Sequence, residues 1–132
     1  MSEEQKKLVE KWLEKASHDL LAAQTLIKHE PLILDTACFH CQQAVEKYLK
    51  SFLVFKNHDF PKLHDVAVLK KMCAELDPEF EIIDVFEIDE YAVRIRYPDD
   101  YNDPDMTDTL KYLEVAIQIK ELVLRKIVWN KV

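Results

Sequence analysis

The sequence predicts an all-α fold, an up-and-down bundle of about five helices, and three observations support this prediction. Apolar residues recur at intervals of three and four over long segments, which is typical of amphipathic helices. The 132 residues include no glycine, which disfavours the tight primed turns of β-hairpins. The hydrophobic fraction of 48% is sufficient for an ordinary core without a disulfide or a structural metal. This length, with no linker or repeat, predicts a single domain over residues 1–132.

The first helix is predicted over residues 3 to about 29. It ends at Glu30-Pro31, because the residue before a proline is pushed out of the helical region. Asp19 lies near the edge of its apolar stripe. That stripe is predicted to contain Leu8, Trp12, Leu13, Ala16, Leu20, Ala23 and Ile27.

The second helix is predicted from near Asp35 to about Lys56, with Asp35 or Thr36 as its cap. At about 100° per residue, one face of this helix is apolar and belongs in the core. The members of that face are Ala37, Cys41, Ala44, Val45, Tyr48, Phe52 and Phe55.

The opposite arc of the second helix is polar and is the first candidate for a binding face. It carries His40, Gln43, Glu46, Lys47 and Lys50. The alternative is an ordinary solvated face, in which Glu46 and Lys50 form an i,i+4 ion pair.

Two apolar side chains, Phe39 and Val54, interrupt this polar arc. Exposed apolar residues within a polar surface indicate that something packs there, and a second subunit is the simplest candidate. The sequence therefore predicts Phe39 and Val54 as residues of a dimer interface.

Cys38-Phe-His-Cys41 has the spacing of a C-x-x-C motif. A zinc site would need a second pair of ligands, and a redox site would place its first cysteine at a helix start. Here both cysteines lie within the predicted helix, and Cys41 is near the centre of the apolar face. Packing in the core is therefore the favoured interpretation, and neither a metal nor a cofactor is predicted.

The third helix is predicted from His64 or Asp65 to Leu76. His64-Asp65 is interpreted as the helix cap, or as a histidine whose ring is oriented for general acid–base chemistry. Asp77-Pro78 is predicted to end this helix, with Pro78 as the first residue of the next turn. Residues 79–93 fit either a short helix or an extended segment.

The last helix is predicted to be capped by Asp103 and to begin at Pro104. Its predicted apolar residues are Leu110, Leu113, Ile117, Leu124 and Ile127, with Ala116 and Val123 beside them.

The segment before the last helix is the second candidate for a binding site. Arg94 and Arg96 can bind phosphate or carboxylate groups in a bidentate manner. Tyr97, beside them, could stack on a base or pack against the bundle. The alternative for the arginines is an internal ion pair with an acidic residue such as Asp19, Glu46 or Asp99.

The composition excludes several functions. A net charge of −7 argues against broad, nonspecific nucleic-acid binding. The absence of glycine excludes a P-loop and a dinucleotide-binding fingerprint. Three cysteines, with no signal peptide and no apolar run of roughly 18 residues, predict a cytoplasmic protein without a membrane span.

Several segments, in order, resemble the HEPN domain family (higher eukaryotes and prokaryotes nucleotide-binding). They are Trp12 with Ala16 and Asp19-Leu20, Cys38-Phe-His-Cys-Gln-Gln-Ala-Val-Glu-Lys-Tyr-Leu-Lys50, Pro61-Lys-Leu-His-Asp65 and Arg96-Tyr-Pro98. The resemblance covers nearly the whole chain. It implies a bundle of about five helices, similar to the substrate-binding subunits of nucleotidyltransferases, and a homodimer with a cleft between protomers. It also implies pairing with a separately encoded minimal nucleotidyltransferase, as in toxin–antitoxin systems.

Many HEPN members are metal-independent ribonucleases that use an arginine followed after four to six residues by a histidine. In this chain the positions at those distances from Arg96 hold Tyr101, Asn102 and Asp103, so the ribonuclease motif is absent. The leading hypothesis is thus a non-catalytic module that binds a nucleotide or a nucleotidyltransferase partner. The ligand-binding residues are predicted to be His40, Gln43, Lys47, Lys50, His64, Asp65, Arg94, Arg96 and Tyr97, with no catalytic residue. The alternatives are a ribonuclease that acts without the usual motif, with His64 as a candidate, and a purely structural dimerisation module.

Overall fold

The computed structural model describes residues 1–90 and 103–129, and within these ranges it contains helices and turns but no strand. The long α-helices of the described residues are α1 (Glu3–Ile27), α2 (Leu34–Phe55), α3 (Val66–Leu76) and α4 (Met106–Lys126). A 3-10 helix, Pro78–Ile82, follows α3, and residues 88–90 are also helical. The prediction of an all-α helical fold is confirmed.

Helix α2 is the centre of the bundle, since it packs against α1, α3 and α4. The apolar face predicted for α2 is buried from Ala37 to Phe52, and Phe55 at its end is half-buried. The aromatic ring of Phe52 packs on Phe80 of the 3-10 helix, with 4.6 Å between the ring centroids. The core therefore surrounds α2, and the polar arc of this helix meets its neighbours at the rim of the core.

The starts of α1, α3 and the 3-10 helix each have a side-chain cap. Ser2 accepts a hydrogen bond from the backbone N–H of Gln5 at the start of α1. Asp65 caps α3, and Asp77 caps the 3-10 helix, which has Pro78 at its first position. The predicted cap and proline at these last two sites are confirmed.

The starts of α2 and α4 differ from the prediction. Helix α2 begins at Leu34 without a side-chain cap, and the Asp35 carboxylate instead accepts from the N–H of Thr36 at 2.7 Å. Asp105, not Asp103, caps α4, because its Oδ1 accepts from the N–H of Asp108 at 2.8 Å. Helix α4 therefore begins two residues later than predicted, at Met106.

The predicted stripe of α1 is largely confirmed, since Ala16, Leu20 and Ala23 are buried, whereas the buried face of α4 is rotated relative to its predicted stripe. In α1 Val9 is buried, whereas Leu8 is 49% exposed. In α4 Leu110 and Leu124 are about half exposed. The residues of α4 that face the core are Thr109, Tyr112, Val115, Ala116, Ile119, Leu122 and Val123. Both helices carry apolar residues on two adjoining arcs, and periodicity alone does not decide which arc faces α2.

Without glycine, the chain makes two of its turns with other residues at positive φ. Asn57 (φ 54°) follows the end of α2, and Phe86 (φ 50°) precedes the helical residues 88–90. Asparagine tolerates this conformation, whereas a bulky aromatic residue rarely adopts it. In the part of the chain that the structure describes, no helix combines the length and apolar content required to cross a bilayer.

Candidate functional site

The first polar cluster joins α1 to α2 and consists of Asp19, His40 and Lys47 (the Asp19 cluster). The Asp19 carboxylate is about nine-tenths buried. One of its oxygens is 2.8 Å from Nδ1 of His40, and the other accepts a hydrogen bond from the Lys47 ammonium. The α1 position that lay at the edge of the predicted apolar stripe thus places a buried carboxylate against the polar arc of α2.

The second polar cluster consists of Glu46, Lys50 and His64 (the Glu46 cluster). Glu46 is 2% exposed, and its Oε1 is 2.8 Å from Nδ1 of His64 in the loop before α3. Its Oε2 is 3.7 Å from Nζ of Lys50 one turn later, which confirms the predicted i,i+4 pair. The His64 side chain itself is 79% exposed, so the ring covers the carboxylate from the solvent side.

Lys50 is a buried cation between aromatic rings. Its side chain is only 7% exposed, and its Nζ is 5.4 Å from the ring centroid of Trp12 and 5.8 Å from that of Phe60. The negative ring faces and the Glu46 carboxylate together offset the loss of water around the ammonium. The partners of Lys50 are therefore side chains of the same chain, and its ammonium is not placed to bind a ligand from solvent.

The loop that carries His64 is fixed by two residues absent from the predicted site, Gln42 and Asp89. The Gln42 amide donates to the backbone carbonyl of His64 and to Asp89 Oδ1, each at 3.3 Å. The Asp89 carboxylate also accepts from the N–H groups of Val66 and Ala67 at 3.0 and 3.3 Å. Burial raises the pKa of Asp89, while these hydrogen bonds oppose the rise. Asp89 therefore acts as a second acceptor at the start of α3, beside the Asp65 cap.

Both clusters hold a histidine in the same way. His40 and His64 each place Nδ1 against a buried carboxylate, and this fixes the ring so that Nε2 is on the far side. Neither Nε2 atom makes a hydrogen bond to the described residues, and the His40 side chain is 28% exposed. Each Nε2 is thus available to accept a hydrogen bond when the ring is neutral, or to donate one when the ring is protonated.

The structure brings together five of the predicted ligand-binding residues and gives each a position. His40 and His64 belong to the two clusters, and Gln43, between them on α2, donates from its amide to Gln42 Oε1 at 2.7 Å. Lys47 and Lys50 are paired with Asp19 and Glu46, so neither supplies an uncompensated positive charge.

The remaining predicted ligand-binding residues do not belong to either cluster. Asp65 caps α3, since its Oδ1 accepts from the N–H of Val68 at 3.1 Å. The cap interpretation of His64-Asp65 is thus confirmed for Asp65, while His64 makes the contact with Glu46. Arg94, Arg96 and Tyr97 lie outside the described residues, and their place in the site stays a prediction.

The two residues predicted for a dimer interface are both half-buried within the chain. The Phe39 ring packs edge-on against His40, with 5.6 Å between the ring centroids. Val54 packs against the core, and its backbone carbonyl accepts from the side-chain amide of Gln5 at 2.8 Å. Their role between protomers stays a prediction.

All three cysteines are buried free thiols, as the packing interpretation expects. Burial raises the pKa of Cys41 and of Cys73 to about 12, and it also raises that of Cys38. Among residues 1–90 and 103–129 there is no group of three or more His, Cys, Asp or Glu side chains arranged for a metal ion.

Fold and site together define an all-α helical bundle whose central helix carries two carboxylate–histidine–lysine clusters on one face. A family model described as HEPN domain matches residues 9–128, so the chain belongs to the HEPN domain family. The fold is similar to the crystal structure of an archaeal HEPN homologue, with a TM-score of 0.65 and 25% sequence identity. That match covers 91% of this chain and 98% of the archaeal one. No curated protein matches the chain.

Proposed function

We propose that residues 1–132 form a non-catalytic HEPN module that binds a nucleotide, a nucleotidyltransferase partner or both on the polar face of α2. This proposal rests on two histidines whose Nδ1 atoms are held by Asp19 and Glu46, while neither Nε2 atom is hydrogen-bonded to a residue that the structure describes. Rings fixed in this way can hydrogen-bond a ligand without losing side-chain entropy on binding. Arg94, Arg96 and Tyr97 would add phosphate binding and stacking.

The charges of this face favour binding over cleavage of a phosphodiester. Lys47 and Lys50 are neutralised by Asp19 and Glu46, so neither offers an uncompensated cation to the charge that develops during phosphoryl transfer. Hydrogen-bonding groups without excess positive charge suit a nucleotide base or a polar protein surface. The proposal includes a homodimer, a cytoplasmic location and a role in a toxin–antitoxin-like pair.

Calorimetric titration with ATP, GTP, CTP and UTP tests the nucleotide site. We expect the unmodified chain to give binding heat with a nucleotide. The affinity should fall at least tenfold when His40 and His64 are both replaced by alanine. His29→Ala is the matched control, because His29 is exposed beyond the end of α1 and its Nδ1 lies 2.9 Å from a backbone carbonyl, that of Pro31, rather than from a carboxylate. Unchanged affinity in the double variant would show that the nucleotide does not bind to this face. Unchanged heat in Arg96→Ala would show that Arg96 is not part of the nucleotide site.

Co-expression with a minimal nucleotidyltransferase separates nucleotide binding from the structural alternative. A stable complex without any nucleotide heat would identify the chain as a purely structural partner subunit. A complex that is lost in Gln43→Arg, with helicity retained, would place the partner on the α2 face. A complex that survives this change would place it elsewhere.

A ribonuclease that works without the arginine–histidine motif is the second candidate, and the carboxylate-held ring of His64 favours it. A histidine oriented by a carboxylate is a competent general base. Incubation of the protein with structured RNA in EDTA tests this candidate, with His64→Ala beside the unmodified chain. Intact RNA at high protein concentration, or equal cleavage by both proteins, would eliminate His64 as the base.

A further inference from the structure

A surface groove lies between the start of α1 and the loop that follows α2, and its volume is about 590 Å³. Ligand sites in proteins commonly have volumes of roughly 300 to 1,000 Å³. The apolar side chains that line the groove are those of Leu8, Trp12, Val54 and Phe60, and we call it the Trp12 groove. Leu8 is 49% exposed, and the other three side chains are half-buried. An apolar recess of this size on a charged chain is a candidate contact surface.

Two carboxylates also line the Trp12 groove, that of Glu4 in the first turn of α1 and that of Asp59 in the loop. Among the described residues, no lysine or arginine lines it. Both acidic residues are exposed, and neither carboxylate forms an ion pair or a hydrogen bond with residues 1–90 or 103–129. Both negative charges are therefore available to a group that enters the groove from solvent.

The two aromatic rings of the groove already lie beside one cation, the buried ammonium of Lys50. Its Nζ is 5.4 Å from the ring centroid of Trp12 and 5.8 Å from that of Phe60. The electron-rich faces of such rings attract cations. Because Glu46 compensates the charge of Lys50, this ammonium does not make the groove positive. The rings and the two carboxylates together thus favour a positively charged group in the groove.

We propose that the Trp12 groove binds an arginine or lysine side chain that a partner protein presents. Such a side chain combines an apolar stem with a charged end. The stem would contact Leu8, Trp12 and Phe60, while the guanidinium or ammonium pairs with Glu4 or Asp59. An anion would be repelled by both carboxylates, and a purely apolar group would leave them without a partner. A second copy of this chain is a poorer occupant, because its net charge is −7.

The Trp12 groove is separate from the ligand face of the proposed function. Val54, in the groove, lies 14 residues after His40, which corresponds to about 21 Å along α2. The sequence predicts Val54 as an interface residue, and the groove would make this an interface with a protein of different sequence. The two sites are tested independently: nucleotide heat without binding to the groove would keep the proposed function and overturn this inference.

Tryptophan fluorescence tests the groove, because Trp12 lines it and Trp129 is the other tryptophan of the chain. Trp129→Phe leaves Trp12 as the single reporter and keeps an aromatic ring beside Phe55. The probe is the blocked peptide acetyl-Arg-Leu-Arg-Leu-Arg-amide. We expect it to shift the Trp12 emission to shorter wavelength, because the bound side chain displaces water from the indole. The same peptide with citrulline in place of arginine keeps the shape without the charge and should bind at least about tenfold more weakly.

A pair of double variants tests the carboxylates in the same Trp129→Phe background. Glu4→Gln with Asp59→Asn should weaken binding of the arginine peptide at least about tenfold, with unchanged helicity. Glu10→Gln with Glu75→Gln is the matched control, because both residues are exposed, lie outside the groove and remove the same two charges. This control should retain the affinity of the parent chain.

Several outcomes would overturn the proposal. An unchanged Trp12 emission would show that the peptide does not enter the groove, and equal binding of the two peptides would show that charge does not select the occupant. Equal losses in the two double variants would assign the binding to general attraction by an acidic chain. Spermidine that binds more tightly than the peptide would assign the groove to a free polyamine. A Trp12 emission that changes with protein concentration alone would assign it to a second copy.

Discussion

The Asp19 cluster and the Glu46 cluster contain the same three kinds of side chain, but they are built from different parts of the chain. The Asp19 cluster joins two long helices, and its carboxylate and lysine are 12% and 23% exposed. The Glu46 cluster joins one helix to a loop, and its carboxylate and lysine are 2% and 7% exposed. Since an unpaired charge costs more free energy where water cannot reach it, the deeper cluster should matter more for stability.

The clusters also differ in what holds their histidines. His40 is part of α2, so its ring moves with the helix that carries the site. His64 depends on a loop whose position is fixed by Gln42 and Asp89. A ligand that contacts both rings would therefore bind one histidine whose ring is held rigidly on α2. The other ring, that of His64, can be displaced by a change at the start of α3.

The largest expected effect is that of Glu46→Ala, which leaves the Lys50 ammonium buried without its carboxylate. We expect a loss of about 3 kcal/mol in the free energy of unfolding, measured by urea denaturation. The control is the double variant Glu46→Met with Lys50→Leu, which removes both charges and should stay close to the unmodified chain. A single-variant loss below about 1 kcal/mol would show that the pair is better solvated than its burial indicates.

Asp19→Ala should have a smaller effect, because Lys47 can turn toward water. We expect a loss of about 1 to 2 kcal/mol by the same denaturation measurement. Asp19→Asn retains an acceptor for one of the two donors and should cost less than the alanine variant. If Asp19→Ala lowered the free energy of unfolding as much as Glu46→Ala does, the burial of a cluster would not determine its contribution to stability.

Asp89→Ala tests whether the His64 loop depends on the start of α3. Two backbone N–H groups lose their acceptor, so we expect a loss of about 1 kcal/mol, as for a removed helix cap. In NMR spectra the ring signals of His64 should shift, while those of His40 should not. Equal shifts in both rings would show that the two histidines move as one unit.

The Asp89 carboxylate should also make the stability of the chain depend on pH. Burial raises the pKa of Asp89 in the folded chain, so its contribution to stability is largest at low pH and declines as the pH rises through that value. Asp89→Asn keeps the acceptor oxygen without the charge. It should therefore gain in stability relative to the unmodified chain as the pH rises above about 3.9, the ordinary pKa of an aspartate, through the raised pKa of Asp89. A stability difference between the two proteins that does not change with pH would contradict the burial argument.

The smallest effect is expected at Lys126, which contacts two carboxylates outside both clusters. Hydrogen bonds from Lys126 lower the pKa of Asp77 and of Glu79, each carboxylate lying 2.9 Å from its Nζ. Because lowered values stabilise the fold above the unfolded pKa, the Tm difference between the unmodified chain and Lys126→Met should be present at pH 7. It should disappear as the pH falls through the lowered values. A Tm difference that persists at pH 2 would assign the effect to packing.

The sequence was a good guide to features that depend on residues close together in the chain. The core face of α2, the Asp65 cap, Pro78 at the start of the 3-10 helix and the Glu46–Lys50 pair are all such features. It was a poor guide where two apolar arcs adjoin on one helix. In α4 the predicted stripe through Leu110 and Leu124 is the outer one, because the identity of the neighbouring helix decides which arc is buried.

The site could be predicted only in part for the same reason. The polar arc of α2 follows from helical spacing, whereas its partners come from distant segments. Asp19 reaches His40 across 21 positions, and Asp89 reaches Gln42 across 47. An acidic residue at the edge of an apolar stripe was the available signal for Asp19. No comparable local signal marks Asp89, which lies in an acidic segment that fits either a short helix or an extended conformation.

The three buried thiols give the molecule its own chemical reporters of internal motion. Cys38 and Cys41 lie in the central helix, and Cys73 lies in α3. A thiolate that solvent can reach attacks the disulfide bond of an added reagent and displaces one of its thiolates, so each cysteine reacts only when its helix separates from its neighbours. The labelling rate of Cys73, compared with the rates of Cys38 and Cys41, therefore measures how often α3 and the loop that carries His64 separate from α2. The unmodified chain thus records, without any attached probe, how often the deeper cluster opens to solvent.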